Sequence, residues 1–180
     1  MGIKRKQLVN MNQHYRRFSL DYFLDCQQRL GIDQIELWCG GAHFWMDHEG
    51  TGDVPTLRRK LRDHGIQVVS VTAPSIAYQY QYASQEPALL EYSFRYFSNA
   101  VCLASQLGAD RVVVNSGWGY TDEDADAMWD RCRDIWSGCA VWRSGKTSCW
   151  SWSPCGGTRA TWSTIWRERS VCSDRSTIRI

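Results

Sequence analysis

The chain has 180 residues, enough for one domain with a hydrophobic core. Its formal net charge is only +2, so composition gives no reason to expect a nucleic-acid partner. No apolar run reaches the length of about 18 residues that a transmembrane helix needs, which excludes such a helix and gives no reason to expect a membrane partner. The basic start at residues 3–7 lacks the apolar run of a secretory signal, so we expect a cytoplasmic protein.

The composition changes abruptly near residue 135. Residues 1–135 hold 14 Lys and Arg against 17 Asp and Glu, whereas residues 136–180 hold 7 against 2. The second segment contains six of the ten Trp and four of the eight Cys but no Leu, a principal core residue of folded domains. We therefore divide the chain into a folded part, 1–135, and an irregular or disordered tail, 136–180, rich in Trp, Cys, Ser and Arg.

Strand-like and helix-like segments alternate four times in the first part. The strands are short and apolar or β-branched, at residues 8–12, 34–38, 66–72 and 111–115. The helices show three-to-four-residue apolar spacing or terminal signals; they run from Ser19 to Gly31, from about Pro55 to Gly65, from 86 to 107, and from Thr121 onward.

This alternation predicts an α/β fold with a parallel sheet and right-handed crossovers. Two architectures are compatible with it, a doubly wound sheet and a (β/α)₈ barrel. No G-x-G-x-x-G follows a strand, which argues against a dinucleotide-binding fold.

Three segments resemble the sugar-phosphate isomerase/epimerase superfamily, the xylose isomerase-like TIM barrels. These are residues 31–38 (GIDQIELW), 64–71 (HGIQVVSV) and 107–114 (LGADRVVV). Residues 38–43 (WCGGAH) and 73–78 (APSIAY) most resemble the fructoselysine 3-epimerase-like members. The resemblance covers residues 7–135 and implies the first half of a TIM barrel, about four β-α units.

The resemblance also implies a metal-assisted reaction. In the intact family one divalent cation (Mn²⁺, Mg²⁺ or Co²⁺) is held by Glu, Asp, His and Glu at the ends of strands five to eight, and the two glutamates move protons beside a ketose carbonyl. Those strands would follow residue 135, where Glu168 and Asp174 are the only carboxylates and no His occurs. We therefore expect no bound cation, no catalytic residue and an inactive, truncated isomerase or epimerase.

Transferred to the strand ends of this chain, the resemblance implies one wall of a sugar pocket. Its aromatic rings would stack on the sugar and its polar groups would bind hydroxyls; the candidate residues are His14, Trp38, His43, Ser75, Tyr78, Asn115 and Trp118. The implied ligand is a small sugar or sugar phosphate.

The tail composition indicates a frameshift near residues 134–135. Trp and Cys codons begin with TG, and a one-base shift turns such triplets into Leu, Val or Met codons. With suitable synonymous codons, the displaced frame of residues 149–155 encodes the fifth strand of the family and its first metal-binding glutamate. Cys149 and Cys155 are not spaced as the C-x₂-C pairs of zinc sites are.

Two other functions stay open. One is an endonuclease-type member of the same barrel group that acts on damaged DNA, although residues 1–135 carry a net negative charge. The other is a non-catalytic sugar-binding or assembly module. The open edges of a half-barrel would also favour self-association.

Four further polar features have structural interpretations. We expect His64 to stabilise a helix end, His48 to be solvated in a polar loop, and Glu36 to be a core polar group with a partner. The acidic run 122–124 is expected to form the first turn of the fourth helix.

Overall fold

The computed structural model describes residues 2–75, 79–115, 119–141 and 149–153. Strands and helices alternate along these residues after a 3₁₀ turn at Arg5–Gln7. In chain order they are β1 (Asn10–Met11), a 3₁₀ helix (Asn12–Tyr15), α1 (Leu20–Leu30), β2 (Gln34–Trp38), α2 (Val54–Asp63), β3 (Gln67–Thr72), α3 (Pro87–Leu107), β4 (Arg111–Asn115), α4 (Ala125–Val141) and β5 (Cys149–Ser153).

The five strands form one parallel sheet in the order β1-β2-β3-β4-β5. Every crossover therefore advances in the same direction, and right-handed connections then place all the helices on the same side of the sheet. A doubly wound sheet would instead reverse its strand order. The predicted α/β half-barrel is confirmed.

The helix ends follow from local side-chain chemistry. The Ser19 hydroxyl accepts a hydrogen bond from the Tyr22 N–H at 3.1 Å, and the Asp53 carboxylate accepts one from the Thr56 N–H at 3.0 Å. Gly31 ends α1 with φ of +65°, a backbone conformation that costs glycine little. The predicted N-cap and C-cap of α1 are confirmed.

The predicted start of α4 at Thr121 is wrong. The helix begins at Ala125, because the Asp124 carboxylate accepts the Ala127 N–H at 2.8 Å and so caps the first turn. Glu123 lies before the helix and forms a 2.9 Å ion pair with Arg131.

The core lies between the helices and the outer face of the sheet. Alternate strand residues such as Ile35 and Leu37 are fully buried there against helix residues such as Phe23 and Phe97. Full burial of each such side chain contributes about 1.5–3 kcal/mol. The other side of the sheet, called the inner face below, carries the half-buried alternate positions of β2.

Residues 149–153 belong to the segment expected to be irregular, yet they form β5 beside β4, with Cys149 opposite Arg111 and Ser153 opposite Asn115. Their alternation of Trp and Ser fits the two-residue period of a strand. The remaining tail residues lie outside the described ranges. None of the helices in those ranges is long and apolar enough to cross a bilayer.

Candidate functional site

The candidate site lies where the parallel strands end. Met11, Trp38, Thr72 and Asn115 close strands β1 to β4, so the segments that follow them meet at one edge of the sheet. Barrels of this kind place ligand-binding groups at this carboxyl edge.

Asn12 links the ends of β1 and β2 through its side chain. Its Oδ1 accepts the Trp38 N–H at 2.6 Å, and its Nδ2 donates to the Trp38 carbonyl at 3.0 Å. The same Nδ2 contacts Nδ1 of His43 at 2.9 Å. Asn12 has no solvent exposure, so these bonds satisfy an amide that water does not reach.

The hydrogen bonds of His43 define its tautomer. Because Nδ2 of Asn12 can only donate, Nδ1 of His43 must accept, and the proton lies on Nε2. Nε2 then donates to the carbonyl of Phe18 at 2.8 Å. Both ring nitrogens are therefore used within the protein, and His43 links the β1 end, the Phe18 turn and the loop after β2.

Trp38 is half-buried at the end of β2, and its indole packs directly on the backbone of Gly40. The turn that follows is closed by bonds from the N–H groups of His43 and Phe44 to the Gly40 carbonyl, at 2.9 and 3.1 Å. The ring is therefore fixed by its own strand and by the glycine turn.

Glu36 lies one row below Trp38 on the inner face. Its carboxylate accepts hydrogen bonds from the hydroxyls of Ser70 and Thr72 on β3, at 3.1 and 2.5 Å. The prediction that Glu36 is a polar group with a partner is confirmed.

The loop after β2 forms a tight hairpin, bridged at Met46 and Thr51. The carboxylate of Asp47 accepts the N–H groups of Glu49 and Gly50 and the indole N–H of Trp45, at 2.8, 3.0 and 3.0 Å. Desolvation acts to raise the pKa of Asp47, but these hydrogen bonds outweigh it and the pKa is lowered. Trp45 remains 59% exposed, an aromatic surface that sequence analysis did not identify.

The prediction that His48 is solvated is wrong. The residue is half-buried, its backbone N–H donates to the Tyr80 hydroxyl at 3.0 Å, and the centroid of its ring lies 4.4 Å from that of Tyr92. His64 does end a helix as predicted, with Nδ1 2.7 Å from the Lys60 carbonyl and Nε2 3.2 Å from Asp25.

The other predicted pocket residues differ in burial, and the structure describes only some of them. His14 is exposed on the 3₁₀ helix, and Ser75 is buried just beyond β3. Asn115 is the last residue of β4, and its side chain is not described. Tyr78 and Trp118 lie outside the described residues. The binding roles of all seven candidates stay predictions.

The thiol of Cys39 at this edge is not activated by its surroundings. Complete burial raises the pKa of Cys39 far above its usual range, so the thiolate is not formed near neutral pH. No three His, Cys, Asp or Glu side chains within the described ranges come together as a cation site requires. These residues therefore do not fit the divalent cation that the family resemblance implies.

A concavity lies on the side of the sheet that the helices cover. It is an open groove of about 830 Å³ between α2 and α3, lined by Val54, Pro55, Arg58, Leu61, Arg62, Ile66, Gln67, Val68, Gln106 and Leu107. It runs along α2 from Val54, at the start of that helix, to the first residue of β3 and the last of α3.

Several solved structures share this arrangement. A xylose isomerase domain-containing protein from Salmonella typhimurium LT2 superposes with a TM-score of 0.61 at 14% identity, over 93% of this chain and 58% of that one. A D-tagatose 3-epimerase-like protein gives 0.63 at 16% identity, over 80% and 51%. A family 2 AP endonuclease from Brucella melitensis gives 0.64 at 14%, over 84% and 55%.

At these identities the likeness concerns the fold alone, and the chain spans between about half and three fifths of each of these proteins. No curated protein matches the chain. The model of the xylose isomerase-like TIM barrel family, however, matches residues 25–142, which include strands β2 to β4 and the carboxyl ends of these three strands. With more than half of its length matched, the chain belongs to the xylose isomerase-like TIM barrel family.

Proposed function

We propose that the described part of this chain forms one wall of a sugar-binding site in a sugar isomerase- or epimerase-type barrel. The observation that supports this is the fixed indole of Trp38 at the carboxyl edge, close to the buried polar side chain of Asn12. A rigid aromatic ring can cover the apolar face of a sugar, and polar groups around it can bind hydroxyls.

We further propose that these 180 residues do not carry out proton transfer by themselves. The reaction of this family would need carboxylates on both faces of the sugar and a cation to polarise its oxygens. Residues 136–180 contain only Glu168 and Asp174 as carboxylates and no histidine. A frameshift in the underlying gene accounts for this composition, and the nucleotide sequence of codons 130–160 tests it.

The function is tested by titrating the purified chain with D-fructose and assaying epimer formation, each with Mn²⁺ and with EDTA. We expect saturable binding that EDTA does not change, loss of binding in Trp38→Leu, and no epimer. Stoichiometric binding of Mn²⁺ together with turnover would contradict the proposed inactivity. Absence of saturable binding would contradict the sugar site.

The structural likeness to the Brucella AP endonuclease keeps a nuclease as the second candidate. Residues 1–135 contain 17 acidic and 14 basic residues, and this net negative charge disfavours a phosphate-binding face. Incubation of the chain with duplex DNA carrying one abasic site distinguishes the two, since strand cleavage would support the nuclease. Sugar binding without any turnover would equally fit a non-catalytic module.

A further inference from the structure

The backbone pairing between β1 and β2 stops two residues before Trp38. Asn10 pairs with Ile35 and Met11 with Glu36, and the chain then turns into the 3₁₀ helix at Asn12–Tyr15. The β1 backbone therefore offers no ladder partner to Trp38 on that side.

The side chain of Asn12 takes the place of the missing strand. A primary amide has one acceptor oxygen and a donor nitrogen, so it can bond to the N–H and the C=O of the same residue as a neighbouring strand would. Asn12 does this at 2.6 and 3.0 Å while completely buried. Asp could keep only the first of these bonds at neutral pH, and Leu neither.

The third hydrogen bond of Asn12 connects it to the turn that follows Trp38. Nδ2 also donates to His43, which lies in the turn whose Gly40 supports the indole. One amide thus fixes the backbone of Trp38 and, through His43, the glycine turn beneath its ring.

We propose that Asn12 is the positioning residue that orients the Trp38 indole for ligand stacking. This inference rests on the proposed sugar site, but the orientation of Trp38 can be measured without any ligand. Asn12 itself is fully buried and does not contact the sugar in this proposal.

The chain contains a matched control in Asn10. That half-buried residue also makes an amide hydrogen bond, from Nδ2 to Oε1 of Gln27 at 2.7 Å, but within the described residues its side chain has no hydrogen bond to Trp38 or His43. A purely structural role of Asn12 predicts that Asn10→Leu and Asn12→Leu behave alike. A positioning role predicts that only the Asn12 variant changes Trp38.

The experiment uses the full chain labelled with 5-fluorotryptophan, with the Trp38 ¹⁹F resonance assigned by its loss in Trp38→Phe. We expect Asn12→Asp and Asn12→Leu to shift or broaden that resonance and to weaken D-fructose binding about tenfold, as loss of roughly one to two net hydrogen bonds implies. Asn10→Leu should lower the unfolding midpoint yet leave the resonance and the affinity unchanged.

An unchanged Trp38 resonance in the folded Asn12 variants would overturn the proposal, as would an equal change in Asn10→Leu. If the unsubstituted chain binds no D-fructose, the sugar site fails while the ¹⁹F comparison still decides the positioning. If neither Asn12 variant folds, amide exchange in the unsubstituted chain decides it: Trp38 protected like Leu37 supports the proposal, and rapid exchange overturns it.

Discussion

Gly40 lies directly against the indole of Trp38, so closely that a Cβ at position 40 would stand 1.8 Å from the ring atoms Cζ3 and Cη2. Such a contact is impossible without movement of the ring or of the turn. The first glycine of the WCGG segment is therefore required on steric grounds, because the observed conformation of the Trp38 ring leaves no room for a side chain at position 40.

Gly40→Ala should displace the Trp38 ring and lower the free energy of unfolding by roughly 1–3 kcal/mol, as overpacking does elsewhere. Urea unfolding measures the stability. The matched control is Gly50→Ala, because a Cβ there meets nothing within 4 Å. In a Trp38→Leu background the cost of Gly40→Ala should largely disappear, and equal costs in both backgrounds would contradict the proposed contact.

Thr72→Val should destabilise the chain by about 1–2 kcal/mol, since it removes a donor from a half-buried carboxylate. The Thr72 hydroxyl donates to Glu36 at 2.5 Å. In a Glu36→Leu background the same substitution should cost much less, so that urea unfolding of the four chains gives a coupling energy above about 0.5 kcal/mol. Additive effects would mean that the two side chains do not interact in solution.

Asp53 should make stability depend on pH in the acid range. The hydrogen bond from the Thr56 N–H holds the pKa of Asp53 below its ordinary value of 3.8. The unfolded chain therefore binds the proton more readily, so the contribution of Asp53 is complete above about pH 5 and is lost as pH falls through the depressed folded pKa.

Asp53→Asn keeps a good N-cap that does not titrate. Between pH 6 and strongly acidic solution, the urea midpoint of the unsubstituted chain should therefore fall further than that of the variant. Parallel curves for the two chains would show that Asp53 is not coupled to folding.

The buried thiols should resist alkylation in the native state. Burial raises the pKa of Cys132 to about 12 and that of Cys139 to about 11, so roughly one thiol in a thousand or fewer is ionised at pH 8. Brief treatment with iodoacetamide, followed by mass mapping, should label the half-buried Cys26 and Cys102 before Cys132 and Cys139. Rapid labelling of Cys132 or Cys139 would show that α4 does not pack as described.

The parts of the fold that depend on neighbours in sequence were predictable. Gln34–Trp38 and Arg111–Asn115 are strands at their predicted positions, and α1 is confirmed between its Ser19 cap and Gly31. Strand propensity, capping hydroxyls and left-handed glycine conformations act over a few residues, so a linear sequence is enough to place them. The start of α4 was wrong because several acidic residues could cap it, and only the geometry of Asp124 selects one.

The sequence by itself thus determined the alternation of strands and helices and the α/β class. Tertiary structure alone decided the roles of Asn12 and His43, whose side-chain hydrogen-bond partners are 25 to 31 residues away along the chain. It also decided that His48 is packed against tyrosines rather than solvated. Side-chain hydrogen bonds between distant segments form only after the strands have been brought into register, and spacing along a sequence carries no record of that register.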